Sequence, residues 1–185
     1  LSVPTHPQST NLKKKDLDGD GDFDILSSFT NGTTYATYYS LNDGVGNFTN
    51  YFMDDDAFDN VWLIDADDDD DLDLIGMRTS LSHHLVYYQN TGVAPAWYTF
   101  SRQLSTTVTN NSAVNVDYDN DGDEDIVVAR NSTSYISKIE NTNGASGFAS
   151  LTNLKEITYG SVYSIFTSDF DNDADMDFVY TYSTG

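Results

Sequence analysis

Along the 185 residues, short runs rich in β-branched and aromatic side chains alternate with clusters of Asp, Asn, Gly and Ser. That is the composition of strands punctuated by turns, not of helices. Around the second quarter of the chain the runs fall at 61–64, 74–78, 84–89 and 97–101, which makes four strands to a unit. Apolar pairs recur at Ile25-Leu26, Leu74-Ile75, Ile126-Val127 and Phe178-Val179. Consecutive strand residues point to opposite faces, so these strands are expected to be buried on both sides, as in sheets stacked face to face.

Each apolar pair follows an acidic nonapeptide of the form D-x-D-x-D-x-D-x-D, at 16–24, 65–73, 117–125 and 169–177. Their starts are separated by 49, 52 and 52 residues, too even for scattered acidic patches. A second signal keeps phase with the first: Asn42-Asp43-Gly44, Asn90-Thr91-Gly92 and Asn141-Thr142-Asn143-Gly144. Asn and Gly tolerate the positive φ of tight hairpins, so each is read as a turn, and the aromatic-led runs from Phe48, Trp97 and Phe148 as the strands that follow. Four-stranded units at this period mark β-propeller blades, and the expected fold is all-β, in four-stranded antiparallel repeats of about 50 residues. A β-sandwich also has many short strands, but it gives no reason for an acidic loop in phase with them.

Residues 1–10 read as an N-terminal extension and 11–185 as the repeat segment, with units at about 11–59, 60–108, 109–160 and an incomplete 161–185. Lys13-Lys14-Lys15 stands where the second unit has Trp62-Leu63-Ile64, so the first strand, if formed, is expected to be exposed or at a boundary. Three and a half blades do not close a ring. The segment is therefore expected to be part of a larger propeller, completed by further blades of a longer chain or by neighbouring copies.

The formal net charge is -22, and 23 of the 30 acidic residues lie in the four nonapeptides. Thirteen Tyr, ten Phe and 38% hydrophobic residues argue for a packed core, not a solvated acidic tail. A strongly negative surface repels nucleic-acid phosphates and anionic lipid heads, so neither is expected as a partner. No stretch reaches the ~20 apolar residues needed to cross a bilayer. The first residues lack an apolar signal core, so any secretion signal is expected upstream. With no cysteine, neither disulfides nor thiolate metal sites are available.

An alternating D-x-D-x-D loop directs side-chain oxygens toward one point, and hard oxygen ligands in that number suit calcium better than magnesium. Two carboxylates ~6 Å apart repel by roughly 3 kcal/mol at an effective dielectric of 20, so several such pairs in an empty loop oppose folding. Up to four divalent ions are implied, one for each loop. An EF-hand needs a bidentate acid at position 12, and that position holds Ser27, Gly76, Val128 and Tyr180 here.

The runs Asp-Leu-Asp-Gly-Asp-Gly-Asp-Phe-Asp-Ile-Leu and Asp-Tyr-Asp-Asn-Asp-Gly-Asp-Glu-Asp-Ile-Val resemble FG-GAP or VCBS repeats, as does the stretch from Leu41 to Phe48. The likeness spans about residues 11–182. It implies the propeller of the integrin α-subunit kind, with calcium in a loop between neighbouring strands of a blade. The family gives side chains from positions 1, 3, 5 and 9 and a carbonyl from position 7. The first site is then Asp16, Asp18, Asp20, the Asp22 carbonyl and Asp24. The second is Asp65, Asp67, Asp69, the Asp71 carbonyl and Asp73, and the third Asp117, Asp119, Asp121, the Asp123 carbonyl and Asp125. The fourth is Asp169, Asp171, Asp173, the Asp175 carbonyl and Asp177. Position 6, usually Gly in the family, is Gly21, Asp70, Gly122 and Ala174, so loops two and four are expected to bear the cost of a Cβ in a left-handed backbone. The spelling of the repeats also resembles that of secreted and surface proteins of bacteria.

His83 and His84 are adjacent, so a strand would aim them to opposite faces and away from a shared ion. Trp62, Trp97 and the tyrosines read as blade packing, with stacking on sugar rings as the alternative, and the sequons at Asn31, Asn47, Asn110 and Asn131 are those expected by chance in so Asn-, Ser- and Thr-rich a chain. No phosphate loop, nucleophile elbow or zinc-protease motif is present, and no catalytic residue or enzyme activity is expected. The expected function is an extracellular calcium-binding module for adhesion or for a carbohydrate or protein ligand, with calcium structural. The alternatives are a scaffold within a polysaccharide-degrading enzyme such as a lyase, and a structural spacer in a surface adhesin or filament.

Overall fold

In the computed structural model, residues 8–31, 33–79, 84–92, 98–105, 112–130, 135–142, 147–157 and 162–183 are described. Among them the regular elements are strands: β1 (Gln8–Lys15), β2 (Asp24–Thr30), β3 (Tyr35–Asn42), β4 (Phe48–Asp54), β5 (Phe58–Ile64), β6 (Asp73–Arg78), β7 (Leu85–Asn90) and β8 (Tyr98–Ser105). They continue as β9 (Ala113–Val116), β10 (Asp125–Arg130), β11 (Tyr135–Ile139), β12 (Thr152–Glu156), β13 (Val162–Ser168) and β14 (Asp177–Tyr182). Sheet order follows chain order, β1-β2-β3-β4, β5-β6-β7-β8 and β9-β10-β11-β12, with β13-β14 as a two-stranded sheet. The fold is all-β, in four-stranded antiparallel meanders of the blade type, and each acidic nonapeptide joins the first two strands of its sheet.

The chain divides into two compact units, Leu1–Asp65 with Asp69–Leu81 and Val86–Arg102, and Ala66–Asp68 with Ser82–Leu85 and Gln103–Gly185. In the first, β5 packs on β1 and β2 around Leu17, Leu26, Tyr39, Phe58, Val61, Leu74, Val86, Tyr88 and Tyr98. Aromatic rings organise this core, with Tyr39 stacked on Tyr51 at 5.1 Å and edge-on to Tyr98 at 5.6 Å. In the second unit, β13 packs on β9 and β10, and the core is Val116, Val127, Ala129, Ile136, Ile157, Val162 and Ile165.

Two-sided burial holds for β6 and β10, whose first five residues are all buried. It does not hold for β2, which alternates, or for β14, where Val179 is 53% exposed. Those strands have only one face covered within their unit. The lysine-bearing β1 does form, pairing with β2, and Lys14 and Lys15 are exposed while Lys14 Nζ lies 3.8 Å over the Phe23 ring. Of the expected aromatic-led strands, Phe48 opens β4, and Trp97 lies outside the described residues. Phe148 makes only an isolated bridge to Asn141, and β12 begins later, at Thr152, because the hairpin closes on itself through Thr142 N–H to the Gly147 carbonyl at 2.8 Å.

The acidic run Asp54–Asp56 between β4 and β5 has a separate role. Arg78 Nη2 lies 2.7 Å from Asp54 Oδ2 and 2.6 Å from the Tyr88 hydroxyl, which also donates to Asp54. The Thr37 hydroxyl donates to the Asp56 carbonyl at 2.9 Å and meets the Ser28 hydroxyl at 2.7 Å. A buried polar chain thus fastens the crossover from the first sheet to the second. Burial holds the Asp54 carboxyl above its ordinary range despite the neighbouring guanidinium. Arg78→Met strands that acid, and a loss of roughly 2–4 kcal/mol is expected in a urea unfolding series, partly recovered by adding Asp54→Asn.

Candidate metal centres

The four nonapeptides share one hydrogen-bond plan. At position 1 a carboxylate faces back into its own loop: Asp16 Oδ2 accepts the Gly21 N–H at 3.0 Å, Asp65 Oδ2 that of Asp70 at 3.0 Å, Asp117 Oδ2 that of Gly122 at 3.1 Å, and Asp169 Oδ2 that of Ala174 at 3.1 Å. Position 5 accepts from the N–H two residues on, at 2.9 Å for Asp20 and Asp22, 3.0 Å for Asp69 and Asp71, 3.1 Å for Asp121 and Asp123, and 3.0 Å for Asp173 and Asp175. These Asx-type turns curl the backbone around the carboxylates.

The curl needs two left-handed residues in each loop. Position 6 has φ of 95° at Gly21, 69° at Asp70, 104° at Gly122 and 74° at Ala174, so loops two and four adopt the turn with a Cβ present. Position 4 is left-handed as well, at Gly19, Asp68, Asn120 and Asn172. Gly, Asp and Asn are the residues that tolerate this region, which is a signal at position 4 that the sequence reading passed over.

Position 9 is set apart. Asp24, Asp73 and Asp125 are 0% exposed, and the Oδ1 of each accepts a backbone N–H from the end of the third strand or just beyond it: Asn42 at 2.8 Å, Asn90 at 2.7 Å and Asn141 at 2.7 Å. Oδ2 accepts the position 2 N–H in loops one, three and four, from Leu17 at 2.7 Å, Tyr118 at 3.3 Å and Phe170 at 3.1 Å. The asparagine that opens each turn signal is therefore bonded to the last acid of its own loop. Position 7 adds a steric link, since a Cβ on Gly92 would meet Asp71 Oδ2 at 2.8 Å and one on Gly44 would strike Asp22 Oδ2. The phase between the two sequence signals is thus a contact.

Carboxylate oxygens converge within 4.8 Å of one another at Asp16, Asp18 and Asp24, at Asp65, Asp67 and Asp73, at Asp117, Asp119 and Asp121, and at Asp169, Asp171 and Asp177. Three loops therefore gather positions 1, 3 and 9, whereas the third gathers 1, 3 and 5. Of the remaining expected ligands, Asp20, Asp69 and Asp173 stand at position 5 as turn acceptors. In the third loop Asp123 Oδ2 is buried without a hydrogen-bond partner. An all-oxygen donor set, clustered and partly orphaned, fits a hard divalent ion.

Residues 117–180 match the FG-GAP-like repeat family. They form an FG-GAP-like repeat. The matched span runs from the first aspartate of the third loop into β14, so it covers two acidic loops and the strands between them. No curated protein matches the chain. In this FG-GAP-like segment the two loops touch: Asn120 Nδ2 donates to the Ala174 carbonyl at 3.3 Å and to Asp175 Oδ1 at 3.1 Å.

Burial pushes the Asp125 carboxyl up to about 6, against the opposing Asn141 N–H. Asp18, Asp71 and Asp123 are raised as well, by burial first and then by neighbouring acids. The Asp125 carboxyl, raised on folding, binds its proton more tightly in the native state, so its contribution is fully present below the ordinary carboxylate range and is lost as pH rises through about 6. For the metal-free chain in excess chelator, acidification from about pH 7.5 to about pH 5 is expected to raise the melting temperature. A melting temperature that falls across that window contradicts the assignment.

Proposed function

We propose that this chain is a calcium-binding β-propeller module of a secreted or cell-surface protein, with calcium as a structural element. The observation that carries this reading is the repetition of one loop geometry four times, each with three converging carboxylate oxygens. Each loop would hold its ion through the side chains of positions 1, 3, 5 and 9 and the position 7 carbonyl, from Asp22, Asp71, Asp123 or Asp175. The bound ion supplies positive charge that cancels repulsion within the loop, and the backbone turns keep the oxygens gathered for it. Extracellular modules function with weak calcium sites because the ion is abundant there. No helix among the described residues is long and apolar enough to cross a membrane.

The same repetition supports a non-catalytic role, because an acid and a base act as one particular pair of carboxyls, whereas this acidic set recurs in four loops. The rigid blades would present their surface to an extracellular protein or carbohydrate ligand.

Thorough calcium removal is expected to lower the melting temperature in differential scanning calorimetry. Calcium at a hundredfold over Kd stabilises by about 2.7 kcal/mol for each site. Asp119→Ala is expected to weaken the third site in a calorimetric titration. An unchanged melt after complete removal overturns the calcium reading. A glycan array and a pull-down test the ligand: silence in both replaces adhesion with a spacer role, and cleavage of a polysaccharide by the purified chain replaces it with catalysis.

A further inference from the structure

The third loop differs from the first two in what the neighbouring strand brings to it. Register fixes the comparison, because Asn42, Asn90 and Asn141 make the same bond to position 9 of their loops. Three residues before each stand Tyr39, Tyr87 and Lys138. Tyr39 lies opposite Leu26 on β2, just as Lys138 lies opposite Val127 on β10. Tyr39 is buried among aromatic rings, and the Tyr87 hydroxyl donates to Asp73 Oδ2 at 2.9 Å. Only in the third sheet does this position carry a charge.

That charge is held in place. Lys138 Nζ lies 2.9 Å from Asp119 Oδ2, 3.2 Å from Glu140 Oε2 and 5.1 Å from the centre of the Tyr118 ring, and its side chain is 13% exposed. A solvated surface lysine would have none of these constraints. Asp119 is position 3 of the loop and belongs to its converging trio. A divalent ion attracted to Asp119 therefore meets an ammonium group already there, and the two cations repel strongly at such range.

We propose that Lys138 is a built-in counter-cation of the third loop, which holds Asp119 while no metal is bound and makes this the weakest of the divalent-ion sites formed by the first three loops. The inference rests on the calcium reading of the loops. Filling the site moves the ammonium from Asp119 toward Glu140, the second acid within its reach. The first loop, with uncharged Tyr39 at this position, fills at lower calcium and without that exchange.

The position 6 glycines give separate reporters, since the amides of Gly21 and Gly122 each donate to position 1 of their own loop. Calcium titration of the full chain, followed by nuclear magnetic resonance at these two amides, is expected to show a higher midpoint at Gly122 than at Gly21. Lys138→Met is expected to lower the Gly122 midpoint by about tenfold or more and leave Gly21 unchanged, whereas Lys138→Arg keeps the native value. Glu140→Gln, which removes the acid that receives the ammonium, is expected to raise the Gly122 midpoint, and it gives an independent test should the methionine variant fold poorly. A Gly21 that titrates beside a Gly122 midpoint unmoved by these substitutions overturns the role of Lys138 alone. If neither amide responds to calcium in any variant, the calcium reading falls and this inference with it.

Discussion

A carboxylate with no exposed surface is stable only where hydrogen-bond donors replace the water it has lost, and the last aspartate of the first three acidic loops meets that condition. Asp24 takes the Leu17 and Asn42 N–H groups, and Asp125 takes those of Tyr118 and Asn141. One oxygen closes the loop and the other binds the end of the third strand. The side chain therefore ties the first connection of a sheet to the last.

Around that fixed point the other acids perform a looser task. Positions 1 and 5 accept N–H groups from their own loop, which shapes the backbone and leaves further lone pairs gathered near one centre. Charge is thereby concentrated where the chain cannot disperse it. The neighbouring acids raise several of these carboxyls beyond the effect of burial. Scaffold and charge pull in opposite directions, and a divalent ion, if bound as proposed, would reconcile them. The third loop shows a partial protein-borne solution, in which a lysine from β11 stands beside one acid.

Period, strand number and the position of each acidic loop between the first two strands were legible because spacing in the sequence maps directly onto sheet connectivity. The fourth acidic loop joins β13 and β14 in the same way. Two-sided burial was legible for β6 and β10 but not for β14, because the apolar pair Phe178-Val179 records a strand's two faces and not what covers them. The strand placed at Phe148 slid to Thr152 because a hairpin can close before its partner strand begins, a detail set by the Thr142 and Gly147 pairing. The division of labour within the loops was hidden for a different reason: alternating aspartates look equivalent in a string, and only burial separates position 9 from the rest. Lys138 was unreadable because it acts on a residue 19 positions earlier, across a strand pair.

Side chains also bridge neighbouring loops: the Asn90 amide donates to the Leu17 and Leu72 carbonyls, both at 3.3 Å, and Asn120 reaches Asp175 at 3.1 Å. Within each of the first three sheets the acidic loop and the turn after the third strand share one end, so the charge of the nonapeptide is one-sided there, and a mobile cation drawn from solution would arrive at that end first.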